Sequence, residues 1–257
     1  MDDLDDIVDG LIDHKQAAPD EVQSQIDPDI YFRYNSVNIV IGHRGSGKTY
    51  STLREILKLP LTGHTEYTQV HYITSKLRDD TVDKFTKAFE QVGLFFNWVP
   101  LSNAEKLIDA LTKAKAMKRE QQSEEDYQML CQALSNDPTH PSSACLDKQP
   151  ELPHTIVIFD DCMNVFSKPN ALAKQLFVSR QARITYFLLL QDAQGLSPSI
   201  KANADSLTVY GGYSHHKFNL MLYQFPPTSV SFDDYAQLSS HGCMRCDFIS
   251  GDVELIE

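Results

Sequence analysis

Long apolar runs are missing from this chain of 257 residues. The longest, Tyr186–Leu190 with Ile184 just before it, falls far short of the roughly 20 residues that a helical bilayer span needs. The N-terminus carries no basic stretch followed by an apolar one, so no signal peptide is expected. Both absences point to a soluble protein. Cysteine is scarce too. Cys131, Cys145, Cys162, Cys243 and Cys246 make an odd, scattered set, which excludes a secreted disulfide framework and fits a reducing compartment. Cys243 and Cys246 with His241 look like half of a zinc site, but a structural zinc takes four ligands and no matching pair is present. The alternation of Met244, Cys246 and Phe248 reads instead as the buried face of a strand. The histidines form no H-x-x-x-H pair on a credible helix, and His215-His216 reads as a turn-like doublet. There is no internal repeat and no low-complexity tract.

Charge is present but unevenly placed. The formal net charge is −12, yet residues 1–30 alone hold ten acids and a single base, Lys15. The remainder carries 25 acids and 22 bases and is nearly neutral. Residues 1–30 therefore read as an acidic, solvated N-terminal arm. Leu4, Ile7, Val8, Leu11 and Ile12 are spaced for one short amphipathic helix, so a docking peptide for a partner or neighbouring subunit is the alternative reading. Residues 31–257 are long enough, and at 42% hydrophobic content apolar enough, for one α/β domain.

That domain is organised around Val37–Thr52, VNIVIGHRGSGKTYST. An apolar run ends at Gly42, and Gly42-His43-Arg44-Gly45-Ser46-Gly47-Lys48-Thr49 then matches G-x-x-x-x-G-K-[ST], the phosphate-binding P-loop. Glycines let successive N–H groups face one anion. The helix that follows, read over Tyr50–Leu57, adds its positive dipole end. Lys48 reaches the β- and γ-phosphates, and the Thr49 hydroxyl is placed for Mg²⁺. Gly42 through Tyr50 are the candidate nucleotide-binding residues.

Further along, Gln69–Thr74 and Phe95–Val99 read as strands and Thr81–Val92 as a helix. A long helix is expected from Asn103 to about Leu134, and its Lys113, Lys115, Lys118 and Arg119 read as a solvated face or as contacts to nucleic-acid phosphates. Ser135–Pro153 reads as a loop. Then His154–Asp161 runs four apolar residues straight into two carboxylates. A strand apolar on both faces belongs inside a parallel sheet, and its C-terminal end is where such sheets place their chemistry. After a P-loop, Asp160 is the candidate Mg²⁺ carboxylate, acting through water, and Asp161 the group that orients or deprotonates the attacking water. A helix N-cap or turn role is the alternative for Asp161. Asn170–Arg180 reads as a helix, and Ile184–Leu190 as another buried strand ending at Gln191. An amide there can bond both a γ-phosphate and the lytic water; the alternative is a plain solvent-facing residue. Pro198–Asn203 fits a short helix, Ser206–Tyr210 a fifth core strand, and Cys243–Ile256 a terminal hairpin. The fold expected is a RecA/FtsK-like α/β P-loop domain, with a mostly parallel central sheet flanked by helices.

Three blocks together, GHRGSGKT at Gly42, IVIFDD at Ile156 and LFVSRQARITYFLLLQDAQGLSPSIKAN from Leu176, resemble the FtsK–HerA class of P-loop ATPases. Within it they are similar to the genome-packaging ATPases of poxviruses, other large DNA viruses and virophages. The third block discriminates: a helix, an Arg-containing turn, a hydrophobic strand ending in Gln, then a Pro-Ile-basic-Asn helix. The resemblance implies Mg²⁺-dependent ATP hydrolysis, with Lys48, Thr49 and Asp160 on phosphate and metal, Asp161 as catalytic acid position and Gln191 as sensor. Many cellular members place Glu where Asp161 stands. It also implies a homo-oligomeric ring, hexameric or pentameric, in which an arginine of one subunit enters the neighbour's site. Arg180 is favoured for that role over Arg183, with a surface salt bridge as the alternative for each. The implied partners are double-stranded DNA and a capsid or portal component, in the host cytoplasm, a viral factory or the virion. A nucleoside or nucleotide kinase is the competing reading, but no arginine-rich lid follows Gln191. A non-enzymatic ATP-dependent assembly factor is the third. A GTPase is disfavoured because no N-K-x-D segment is present.

Overall fold

The structure is a computed structural model and describes residues 32, 35–59, 67–76, 80–118, 154–167, 171–178, 182–226 and 230–257. Among these, eight strands form one sheet. They are β1 (Val37–Ile41), β2 (Tyr67–Thr74), β3 (Phe95–Pro100), β4 (His154–Asp160), β5 (Ile184–Leu190), β6 (Ser206–Tyr210), β7 (Cys243–Asp247) and β8 (Val253–Ile256). Their order is β3-β2-β4-β5-β1-β6-β7-β8. The first six in that order run parallel, and β7 and β8 close the far edge as an antiparallel hairpin. The expected mostly parallel sheet and terminal hairpin are both present.

The helices are α1 (Lys48–Leu57), α2 (Asp80–Gln91), α3 (104–118), α4 (Ala171–Leu176), α5 (Pro198–Ala202), α6 (His215–Leu222) and α7 (Phe232–Tyr235). They pack on both faces of the sheet, which is why β1, β4, β5 and β6 are buried at every residue. One face holds Ile39, Ile41, Val157, Phe159, Tyr186 and Leu188. The other holds Val40, Ile156, Ile158, Phe187 and Leu189 with Leu53 and Ile56 of α1 and Phe85 and Phe89 of α2. Alternate residues of each strand thus feed opposite layers.

Several polar residues inside this core pair with one another. Asn38 donates to Ser36 Oγ at 2.9 Å and to the Tyr186 carbonyl at 3.2 Å, while Ser206 Oγ donates to Asn38 Oδ1 at 2.7 Å. Asp205 Oδ2 accepts the Val37 N–H at 2.7 Å, tying the start of β6 to the start of β1.

Two expectations need revision. His215-His216 is no turn: Ser214 accepts the Lys217 N–H and caps α6, so the doublet opens a helix. Lys115 is no solvated residue: it is 7% exposed, and its Nζ donates to the Arg183 carbonyl at 2.8 Å. The long helix is described over 104–118, after a 3-10 turn at Leu101–Asn103. Its expected continuation with Arg119, the loop 135–153 and the acidic arm 1–30 lie outside the described residues.

Candidate nucleotide-binding site

The parallel strands bring their carboxyl ends to one edge, and register decides which residues meet there. Ile41 pairs with Leu190, and Asp160 with both Leu189 and Thr74. The Gly42 N–H donates to the Leu190 carbonyl at 3.1 Å, and the Asp161 N–H to the Leu189 carbonyl at 3.0 Å. The P-loop, the paired carboxylates and Gln191 therefore converge, although Lys48 and Gln191 are far apart in sequence.

The loop needs its glycines. A Cβ at Gly42 would be driven into Ser46 Oγ and would lie 3.0 Å from Tyr210 Cβ. Gly47 caps α1 at φ 93°, a left-handed backbone that costs L-residues about 1 kcal/mol or more. The first N–H groups of α1 then point outward from the helix start, as at every helix N-terminus. His43, Arg44 and Gly45 form the exposed crest, while Ser46 and Lys48 are buried. Lys48 Nζ donates to the Gly42 and His43 carbonyls at 2.8 and 3.0 Å, which holds the ammonium inside the loop's arc. Burial pulls its pKa down, while Asp160 and Asp161 pull it up. Ser46 Oγ is buried without a hydrogen-bond partner among the described residues. Tyr50 is half-exposed on α1, its ring edge-on to Phe85 with centroids 5.4 Å apart.

The two carboxylates are held differently. Asp160 is buried, and its Oδ2 accepts from the Tyr72 hydroxyl and, at 3.2 Å, from Thr49 Oγ1. The Lys76 ammonium lies 3.9 Å from the same oxygen. Asp161 adopts a left-handed backbone, φ 57°, and caps no helix. The N-cap alternative for it therefore falls away. Gln191 Nε2 donates to both of its oxygens at 2.9 and 3.0 Å, and Lys76 Nζ lies 3.0 Å from Oδ2. Burial pushes the Asp161 carboxyl up, but the Lys76 and Gln191 bonds outweigh it and the net displacement is downward.

These residues fit a nucleotide phosphate and a divalent cation. The unpartnered Ser46 Oγ, the Lys48 ammonium and the start of α1 suit phosphate oxygens. The Thr49 hydroxyl and the Asp160 carboxylate offer the hard oxygen donors that Mg²⁺ takes.

Sequence reasoning missed several members of this edge. Lys76 is one. Tyr213 is another: its hydroxyl donates to the Gln191 carbonyl at 2.9 Å, and its ring lies 4.0 Å from that of His43. Lys217 sits over the same ring and pairs with Asp192 at 3.1 Å. His241 places Nδ1 3.3 Å from the Ser46 carbonyl. Arg180 lies outside the described residues. Arg183 precedes β5, at the end of the sheet away from the site, with φ 50° and its carbonyl accepting the Thr155 N–H at 3.1 Å. No group of three or more His, Cys, Asp and Glu placed to hold a metal occurs among the described residues, and Cys243 and Cys246 are buried in β7. Among them, no helix is long and apolar enough to cross a membrane.

No protein-family model and no curated protein matches the chain. Solved structures do. The DNA-packaging ATPase B204 of Sulfolobus turreted icosahedral virus superposes over 88% of this chain and 98% of its own, at 14% identity and a TM-score of 0.58. The genome-packaging NTPase B204 of Sulfolobus turreted icosahedral virus 2 in complex with ATPγS matches over 87% of this chain and 97% of its own, at 13% identity and a TM-score of 0.57. EssC (ATPases 2 and 3) of Geobacillus thermodenitrificans matches over 86% of this chain and 39% of its own, at 16% identity and a TM-score of 0.52. The chain has the fold of these ATPases, an α/β domain with a mostly parallel sheet flanked by helices.

Proposed function

We propose that this protein is an ATP-hydrolysing motor that moves double-stranded DNA and packages viral genomic DNA into a preformed capsid. The observation that carries the reading is the convergence at one sheet edge of Lys48, the Thr49–Asp160 pair and the Gln191–Asp161 pair. Likeness in fold to B204, a DNA-packaging ATPase, favours the packaging reading over a kinase or an assembly factor.

In this mechanism the P-loop backbone and Lys48 bind the β- and γ-phosphates and draw off charge as the γ-phosphoryl group leaves. Thr49 and Asp160 would hold Mg²⁺, which would supply further charge neutralisation on the phosphates. Asp161 orients the water for in-line attack on the γ-phosphorus and takes its proton; ADP is the leaving group. Gln191, bonded to Asp161, would bond that water and the γ-phosphate and so report which nucleotide is present. Subunits assemble as a pentameric or hexameric ring, and an arginine from the neighbour, Arg180 or Arg183, completes each site. The nearly neutral body concentrates its basic residues in the channel, where DNA passes. The acidic arm docks to a capsid or portal component. The work takes place in the host cytoplasm or a viral factory.

The test combines sedimentation with phosphate release across a range of protein concentrations, with and without double-stranded DNA. A motor assembles into a ring and turns over faster on DNA. Turnover by a monomer, indifferent to DNA and stimulated by nucleoside acceptors, would replace this reading with a phosphotransferase.

A further inference from the structure

Lys76 belongs to no motif, yet it occupies the middle of the carboxylate pair. It follows β2, the strand next to β4. Thr74 pairs in register with Asp160, and the Lys76 N–H donates to Thr74 Oγ1 at 3.1 Å. Its Nζ then lies 3.0 Å from Asp161 Oδ2 and 3.9 Å from Asp160 Oδ2. The partners of the two carboxylates differ in kind. Asp160 receives hydroxyl groups from Tyr72 and Thr49, and the ammonium only at the longer distance. Asp161 receives a cation and an amide, Lys76 and Gln191.

Asp161 needs such partners. Its backbone is left-handed, φ 57°, and its side chain is 27% exposed, so packing alone does not fix it. Gln191 grips both oxygens from the β5 side. A second contact, from Lys76, reaches it from the β2 side. We propose that Lys76 is a positioning residue that holds Asp161 in its hydrolytic orientation and sets the rate of the attack on ATP without contributing to ATP affinity. This rests on the proposed function, since it assigns a role within that same hydrolysis. Misplacement of a reacting group by about 1 Å can lower a rate by about 100-fold, so a lysine whose shorter contact is to Asp161 can govern turnover.

The experiment compares Lys76→Met and Lys76→Arg with wild type for ATP turnover and for ATPγS affinity. The Met variant is expected to lose about tenfold or more in kcat, with affinity within about threefold, and the Arg variant to recover most of the rate. Lys76 is half-exposed, so both variants keep the wild-type melting temperature. An unchanged kcat, a loss confined to ATPγS affinity, or an Arg variant no better than Met overturns the inference. A second readout needs no turnover: acetylation of Lys76 by an amine-reactive ester, followed by mass spectrometry, in wild type and Asp161→Asn. Release of the ammonium should speed labelling severalfold, and equal rates would sink the pairing. Wild-type protein without turnover strikes at the proposed function instead, and the labelling then decides the fate of the Lys76 contact.

Discussion

Gln191 Nε2 stands 2.9 and 3.0 Å from the two carboxylate oxygens of Asp161, joining the ends of two neighbouring strands by one side chain. The amide is uncharged, so it fixes the carboxylate without neutralising it. Gln191→Ala removes that bond and leaves the nucleotide contacts of the P-loop in place. ATP turnover should fall by about 10- to 100-fold, the range for losing a catalytic positioning contact, while ATPγS affinity stays within a few-fold. Steady-state kinetics beside equilibrium titration separate the two effects.

Lys48 is the opposite case. Its ammonium is buried within the loop and held by the Gly42 and His43 carbonyls. Lys48→Ala should abolish the rise in melting temperature that ATPγS gives wild type, since ligand stabilisation follows affinity directly. A wild-type thermal shift in this variant would mean that the phosphates bind elsewhere.

Tyr213 links the two halves of the site. Its hydroxyl donates to the Gln191 carbonyl at 2.9 Å, and its ring packs against His43 of the P-loop. Tyr213→Phe keeps the ring and loses the bond. The expected loss of stability is about 1 kcal/mol, read by urea unfolding, accompanied by a turnover loss smaller than that of Gln191→Ala. Wild-type values for both would show that the β5 end is held without it.

His71 gives the fold a pH dependence. It is 4% exposed in β2, with Nδ1 3.3 Å from Asn97 Nδ2 and no partner for Nε2 among the described residues. Burial, reinforced by the nearby Lys115 ammonium, lowers its pKa from 6.5 to about 4. The unfolded chain therefore takes up a proton that the folded chain refuses over that interval. Its contribution to stability is complete above about pH 6.5 and declines as pH falls toward about 4, by about 3 kcal/mol in all. Urea midpoints between pH 7 and 4.5 should fall less steeply for His71→Phe than for wild type. Parallel slopes would show that His71 does not titrate as described.

What was legible in the sequence was local. Gly42–Thr49 spells its own geometry, and the apolar runs before Asp160 and Gln191 announce buried strands with polar ends. Residues whose role depends on strand order were invisible. Lys76 reaches Asp161 because β2 lies beside β4, and Tyr213 reaches Gln191 because the chain leaving β6 crosses the ends of β1 and β5. No spacing encodes either neighbour. The capped helix after Ser214 was missed because its apolar residues form only a weak stripe, with Phe218 and Met221 buried beside exposed Leu220. Lys115 misled for a related reason: a lysine among lysines reads as surface, yet the helix turns this one inward to the Arg183 carbonyl.

The central claim is that this sheet edge hydrolyses ATP with Asp161 acting on the water. Steady-state phosphate release from ATP and Mg²⁺, with wild type and Asp161→Asn at protein concentrations that span assembly and in the presence of double-stranded DNA, addresses it most directly. The account predicts turnover in wild type that rises with concentration, and a loss of at least about 100-fold in the variant while ATPγS still binds, the scale expected for removing a general base. Equal turnover by the two proteins would contradict it.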